Sequence, residues 1–442
     1  MGKRSRKMKV KGGWFIFLFV NATLAMLVLS PVIPNLIGEY NDNQLLNGAD
    51  ARINEYRKGE MVLHFQHANG SAMNGTGVII NQTRHEFIFG CTFFNYNSGS
   101  FTSAQNDSYN NYFENLFNLA VLPFYWSGYE PQQGVFPSDG RLDEMVKWCR
   151  SKNITTKGHP LTWRNPTGYP NWLPDDDGAV VDLLQNRIEN LTSSYSGRID
   201  IWDVVNEPTH LPTFGNQPLD QFVSNCFAWA ENSDPDVPLT INEYGILGHD
   251  FGYGEYYNLV DRLLDNDVPI DYIGLQGREP RSDWIPATEI WDTLEAYKNL
   301  GLPIHITEFT VPSASVPITN SWKKGLWDEG NQAEYAARVY KTCFSHPGVE
   351  ALIWWDLYDG MSWVTDGGLI GHDWMPKPVY ERLDNLINNE WHTVESIITN
   401  SNGTIRLDGF YGTYNISVPS LGEWTMRNIT KGMDNEFLII LP

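Results

Sequence analysis

The chain has 442 residues, 42% hydrophobic and 19% charged, a globular composition that excludes a disordered or low-complexity protein. A formal net charge of −22 disfavours nucleic acid and anionic membrane surfaces as partners and suits a neutral ligand. Aromatic residues reach 13%, with 17 Trp and 21 Tyr, enough for a large core and for planar faces that stack on sugar rings.

The N-terminus runs against the overall charge. Lys3, Arg4, Arg6, Lys7, Lys9 and Lys11 precede an apolar stretch over 14–33. Residues 1–38 read as an export signal or an N-terminal membrane anchor. The anchor is favoured, because the stretch reaches the ~20 residues a span needs and Pro31 after Ser30 is a poor cleavage site. With the basic end held in the cytoplasm, the rest faces outward, secreted or anchored to the outer face of the membrane. Asn-x-Ser/Thr triplets at Asn69, Asn74, Asn81, Asn106, Asn153, Asn190, Asn402, Asn415 and Asn428 fit an exported glycoprotein.

Residues 39–56 are polar and Asn-rich and read as a linker. Within 57–85, the segments 61–66 and 77–82 read as two strands around a Gly/Asn turn. A rhythm then begins. Apolar runs at 87–92, 119–124, 154–158, 199–205, 238–242, 271–275, 302–307 and 350–355 alternate with helical spacing, such as Leu142-Met145-Val146-Cys149. Eight strands alternating with helices over 86–390 give a (β/α)8 TIM barrel, an α/β fold. Residues 391–442 alternate apolar and polar positions and form a small C-terminal β unit, expected to pack on the barrel with the N-terminal strands. Cys91, Cys149, Cys226 and Cys343 lie far apart, consistent with either disulfides or buried thiols.

In a barrel, reactive side chains sit where strands end at the C-terminal face. The third run ends in His159, the fourth in Asn206-Glu207 and the fifth in Asn242-Glu243-Tyr244. The sixth ends in Gln276, the seventh in Glu308 and the eighth in Trp354-Trp355-Asp356. Two acids that close apolar runs, among amides and aromatic rings on one rim, are the equipment of a glycoside hydrolase. Asp175-Asp-Asp-Gly178 lacks the later ligands of a calcium loop and reads as a turn or helix cap. His64, His67, His85 and His346 show no metal spacing, so neither metal nor cofactor is expected.

From about residue 57 onward the chain resembles glycoside hydrolase family 10, the xylanase family. The resemblance rests on Gly158-His-Pro-Leu-Thr-Trp163, Trp202-Asp-Val-Val-Asn-Glu207, Ile241-Asn-Glu-Tyr244, Gly274-Leu-Gln-Gly277, Ile306-Thr-Glu308, Trp355-Asp-Leu-Tyr-Asp-Gly-Met-Ser-Trp363 and Pro376-Lys-Pro-Val-Tyr380, in that order. The Arg57-Lys-Gly start, Glu130-Pro-Gln-Gln-Gly134 and Gly409-Phe-Tyr-Gly-Thr-Tyr414 resemble the plant-type branch. The resemblance implies Glu207 as acid/base and Glu308 as nucleophile of a retaining endo-β-1,4-xylanase. It implies Asn206 on the sugar 2-hydroxyl, with His159, Trp163, Gln276, Trp355 and Trp363 around the reacting sugar. Tyr244, Arg278, Trp126 and Glu130 complete the expected substrate-binding set.

The departures are informative. The family's Glu-Asn-x-x-Lys-Trp reads Val121-Leu-Pro-Phe-Tyr-Trp126 here, so Leu122 and Tyr125 replace two sugar-holding residues. Where the family usually has His after the strand-six Gln, Arg278 stands. An Arg there would keep Glu308 ionised, or would bind an acidic substituent such as a uronic acid. Glu243 replaces a more usual Asp and reads as a structural acceptor. The expected partner is therefore a polysaccharide, xylan or a related β-1,4-glycan, acted on by a monomer. The reading from another class, a non-catalytic glycan-binding barrel, is opposed by the intact Glu207 and Glu308.

Overall fold

The computed structural model describes residues 32–248 and 253–442. The apolar segment read as a signal or anchor lies outside the described residues except for its last two positions. Among the described residues no helix is long and apolar enough to cross a membrane.

Strands β1 (Lys58–His67) and β2 (Gly77–His85) precede the barrel. The barrel strands are β3 (Ile88–Thr92), β4 (Leu119–Pro123), β5 (Thr155–His159), β6 (Ile201–Asn206), β7 (Leu239–Glu243), β8 (Tyr272–Gln276), β9 (Ile304–Phe309) and β10 (Val349–Trp354). All neighbours are parallel, and β10 returns to pair with β3, closing the ring. Each of the eight apolar runs in the sequence overlaps one of these strands.

Alternation along the strands separates two apolar layers. Leu122, Trp202, Val204 and Ile241 pack outward against helix residues such as Leu142 and Met145. Leu119, Val121, Ile201, Ala351, Ile353 and Trp355 form a smaller cluster inside the ring. One glycine sets the spacing of the wall. A Cβ on Gly158 in β5 would lie 2.1 Å from the Trp202 ring, so the indole lies flat on bare backbone. Gly158→Ala is expected to cost about 1–3 kcal/mol through overpacking, read as a lower urea midpoint. An unchanged midpoint would show that Trp202 has room to shift.

After the barrel come β11 (Val394–Ile398), β12 (Thr404–Phe410), β13 (Gly412–Val418), β14 (Glu423–Ile429) and β15 (Glu436–Leu441). They combine with β1 and β2 into two stacked sheets, ordered β12-β1-β15 and β11-β2-β13-β14. The accessory unit is thus a seven-stranded sandwich with a core of its own, built from Met61, Leu63, Phe65, Ile80, Tyr414 and Ile416 among others. Each N-terminal strand is a central strand of one sheet.

The linker reading of 39–56 needs correction. Helices Val32–Asn47 and Ala49–Arg57 occupy that stretch. Their fixing points are polar, which hides them from a hydrophobic pattern. Asp42, fully buried, accepts from Thr288 N at 3.0 Å and from Trp322 Nε1 at 2.7 Å. The Arg57 guanidinium donates to the carbonyls of Phe344, His346 and Val349. All four cysteines are buried free thiols, and Asp176 caps the helix Asp177–Ser194 through Ala179 N at 2.8 Å.

Candidate active site

Three acidic residues at the barrel's C-terminal rim adopt left-handed backbone: Glu207 (φ 57°), Glu308 (φ 53°) and Asp356 (φ 70°). For residues with a Cβ this costs about 1–3 kcal/mol each and persists only where the surroundings enforce it. Register shifts accompany the turns, between Asp203 and Val205 in β6 and between Leu352 and Trp354 opposite β9. Such irregularities re-aim a side chain that regular pleating would send into the wall.

Glu308 is 1% exposed. Its Oε1 accepts from Asn242 Nδ2 at 2.9 Å, and its Oε2 pairs with Arg278 Nη2 at 2.9 Å. His159 Nε2 stands 4.0 Å from Oε1. Glu207 accepts from Trp163 Nε1 at 2.7 Å and from Gln276 Nε2 at 3.3 Å, and Arg278 Nη2 lies 3.8 Å from its Oε1. Burial, and then the charge of Glu308, push the Glu207 carboxyl up to about 7, against the pull of Trp163 and Arg278. Two neighbouring carboxylates are thus placed unequally, one a proton reservoir near neutrality and the other held by a cation and an amide.

Buried polar groups hold this pair in place. Asn242 also donates to Asn206 Oδ1 at 2.8 Å and accepts from Thr307 Oγ1 at 2.5 Å. With its oxygen so engaged, Asn206 offers its amide N–H groups to a ligand. A Cβ on Gly274 would lie 2.6 Å from Asn242 Oδ1, so this network needs the glycine. Beneath it, His159 Nδ1 meets Asp203 Oδ2 at 2.7 Å, and Asp203 Oδ1 pairs with Lys157 Nζ at 2.8 Å. The carboxylate fixes the proton on Nδ1 and leaves Nε2 facing Glu308. Glu243, fully buried, gathers Thr209 N and Oγ1, His210 Nδ1 and Tyr244 N at 2.7–2.9 Å, the structural role expected of it.

The cleft brings together Glu207, Glu308, His159, Trp163, Asn206, Gln276, Arg278 and Trp355. Trp363 stands at the mouth, 60% exposed, with Arg281 and Arg278 centred 5.1 and 5.8 Å from its ring. Its backbone N–H donates to Asp356 Oδ2 at 2.6 Å, so Asp356, pushed up to about 6 chiefly by burial, secures the loop that carries it. Tyr244 lies at the rim against His210, ring centroids 4.1 Å apart.

Trp126 and Glu130 do not belong to this group. Trp126 is buried beside Trp172 and Phe214 and donates to Glu130 Oε2 at 2.9 Å, while Glu130 Oε1 accepts from Gly134 N at 2.8 Å. Both secure the loop after β4, because the helical turn Trp126–Tyr129 points the indole inward. Leu122 is core as well, and Tyr125 takes the cleft side, its ring 5.4 Å from His159 and 5.7 Å from Trp163. Sequence reasoning places Asn242 on the rim without naming its partners and gives Asp203 and Lys157 no role. An acid and a base inside otherwise apolar runs were the available signal.

Among known proteins, the family model "Glycosyl hydrolase family 10" matches residues 84–386. The chain is 26% identical over 410 residues to the anti-sigma-I factor RsgI6 of Acetivibrio thermocellus, covering 91% of this chain and 50% of that protein. It is 27% identical over 372 residues to endo-1,4-beta-xylanase 2 of Arabidopsis thaliana, covering 82% of this chain and 32% of that protein. The chain therefore spans half or less of these two relatives. Native xylanase 10B from Thermotoga maritima superposes with a TM-score of 0.58 at 25% identity, covering 69% of this chain and 96% of that one.

Proposed function

The chain belongs to glycosyl hydrolase family 10, and on that premise we propose that it is an endo-β-1,4-xylanase that cleaves xylan by double displacement with retention. Glu207 gives its proton to the leaving oxygen while Glu308 attacks the anomeric carbon. Glu207 then takes a proton from water as the water displaces Glu308. The observation that carries this reading is the unequal pair: Glu207 raised to about 7, Glu308 gripped by Arg278 and Asn242 at 2.9 Å each. One nitrogen of Arg278 reaches both carboxylates. The gap between the contacted oxygens cannot exceed the two contacts combined, at the lower edge of the ~6.5–9.5 Å an inverting pair needs. That supports retention.

A substituted xylan is the second reading for the substrate. The observation behind it is Tyr125 on the cleft wall, where the family places Lys. Arg278 lends little to the idea of an acidic substituent, since Glu308 already occupies it. Reducing-sugar release from plain xylan, glucuronosylated xylan, cellulose and mannan separates these readings; release from cellulose or mannan alone would overturn the first. NMR of the first product should show the β-anomer, and an α-anomer would refute retention. We further propose that the protein acts outside the cell as a monomer. The basic residues ahead of the 14–33 stretch and the many glycosylation triplets support export.

The pH dependence follows from Glu207. Its proton is required in the first step, so kcat/KM on xylan should fall as pH rises through about 7. Glu207→Gln should abolish that alkaline limb. A limb that persists in the variant belongs to another group.

A further inference from the structure

The double displacement proposed above has a charge pattern that one residue of this chain is placed to serve. Before the first step the pair holds one negative charge, on Glu308, and one proton, on Glu207. When the Glu308 oxygen bonds to the anomeric carbon, the glycosidic C–O bond breaks and its electron pair goes to the leaving oxygen. That oxygen takes the Glu207 proton. The covalent intermediate again holds one negative charge, now on Glu207, while Glu308 is a neutral ester. Water then gives a proton to Glu207, its oxygen bonds to the anomeric carbon, and the ester pair returns to Glu308. The charge shuttles and is never doubled.

We infer that Arg278 is a shared counter-ion that passes from Glu308 to Glu207 as the covalent intermediate forms, and that it is needed more for breaking the intermediate than for making it. Its Nη2 lies 2.9 Å from Glu308 Oε2 and 3.8 Å from Glu207 Oε1, so less than an ångström of approach completes the transfer. The guanidinium has two further neighbours: Gln276 Oε1 accepts from the same nitrogen at 3.4 Å, and the Trp355 ring lies 5.5 Å from its centre. The group is 12% exposed, and its Nε is buried without a partner, so the site leaves it little water to rely on. A cation so placed acts through a poorly screened field. Facing Arg278 are Glu279 on its own loop and, from another element, Tyr125 after β4. Asp356 after β10 is also within its electrostatic reach, and His159 on β5 approaches Glu308. Glu243 on β7 adds a negative charge near Glu207. Once Glu308 is esterified, Arg278 faces Glu207 and stabilises its carboxylate, the form needed to accept the water proton. This rests on the retaining mechanism proposed above.

The test uses the full chain and a dinitrophenyl β-xylobioside, whose leaving group departs without a proton. In Arg278→Gln the second step should slow by about ten- to a hundredfold, the range for losing a hydrogen bond to a charged group. The covalent intermediate should then accumulate, as a burst of phenolate and as a mass shift on the peptide holding Glu308. On xylan, whose leaving oxygen does need the Glu207 proton, the alkaline limb of kcat/KM should move to higher pH, because the cation that drains proton affinity from Glu207 is gone. Arg278→Lys, which keeps the charge, should restore most of both effects. Equal losses in Gln and Lys, with no burst and no shifted limb, would reduce Arg278 to packing and overturn the inference. A wild-type protein that fails to cleave the xyloside would instead sink the proposed function, so the two failures are distinguishable. Matched urea midpoints confirm that each variant is folded.

Discussion

Replacing Glu308 by Ala is expected to lower kcat on xylan by at least about 10⁴-fold, the scale for losing a catalytic nucleophile. In the double displacement proposed above, the change removes the atom that bonds to the anomeric carbon. It also strips Arg278 and Asn242 of the acceptor each holds at 2.9 Å. The barrel should stay folded, because Asn242 keeps its contacts with Asn206 and Thr307. The side-chain space vacated by the carboxylate admits a small anion. Azide should therefore restore turnover of the dinitrophenyl xyloside and yield the α-glycosyl azide, since a single displacement replaces two. Xylan cleavage that survives Glu308→Ala would refute the assignment of the nucleophile. Rescue that gave a β-azide would refute the geometry of attack.

Asp203→Asn is expected to be the most damaging single change to stability, at about 3–5 kcal/mol, the cost of leaving a buried charge unpaired. Lys157 and Asp203 are 1% and 2% exposed and lie 2.8 Å apart inside the barrel wall. Burial works to raise the Asp203 carboxyl, but Lys157 and then His159 outweigh it and hold it below the usual range. An amide can still accept one proton donor, yet it cancels no charge, so the Lys157 ammonium would face the interior alone. Urea midpoints read the loss. Adding Lys157→Met should recover most of it, because the stranded charge goes too. A midpoint unchanged in Asp203→Asn would mean that water reaches Lys157. The single variant should also lower kcat, since His159 would no longer have the carboxylate that orients its ring toward Glu308.

Much of this was legible in the chain. Strand-length apolar runs that end in Glu207 and Glu308 announce both the barrel and its rim, because parallel strands buried on both faces leave an acid no other exit. What the sequence leaves open has a common physical cause. Asn242 is visible on the rim, but its partners, like those of the buried Asp203, come from other strands, so no local spacing reveals them. Trp126 was misplaced because a tryptophan's identity does not say which way the chain turns; the short helix after β4 directs it into the core. The two N-terminal helices were hidden by composition, since Asp42 and Arg57 attach them through hydrogen bonds rather than an apolar stripe.

The sandwich has a consequence for the order in which the molecule is made. Its core needs β1 and β2 together with strands that leave the ribosome only after the entire barrel, and His64 meets Glu436 across 372 residues. Until then Met61, Leu63, Phe65, Val78 and Ile80 have no partner sheet. Closing so long a loop is entropically steep for a free chain, but a folded barrel fixes the position of both segments and removes most of that loop. The barrel is thus the template on which the sandwich assembles. A nascent chain stalled within the barrel would present two adhesive strands rather than a small folded module.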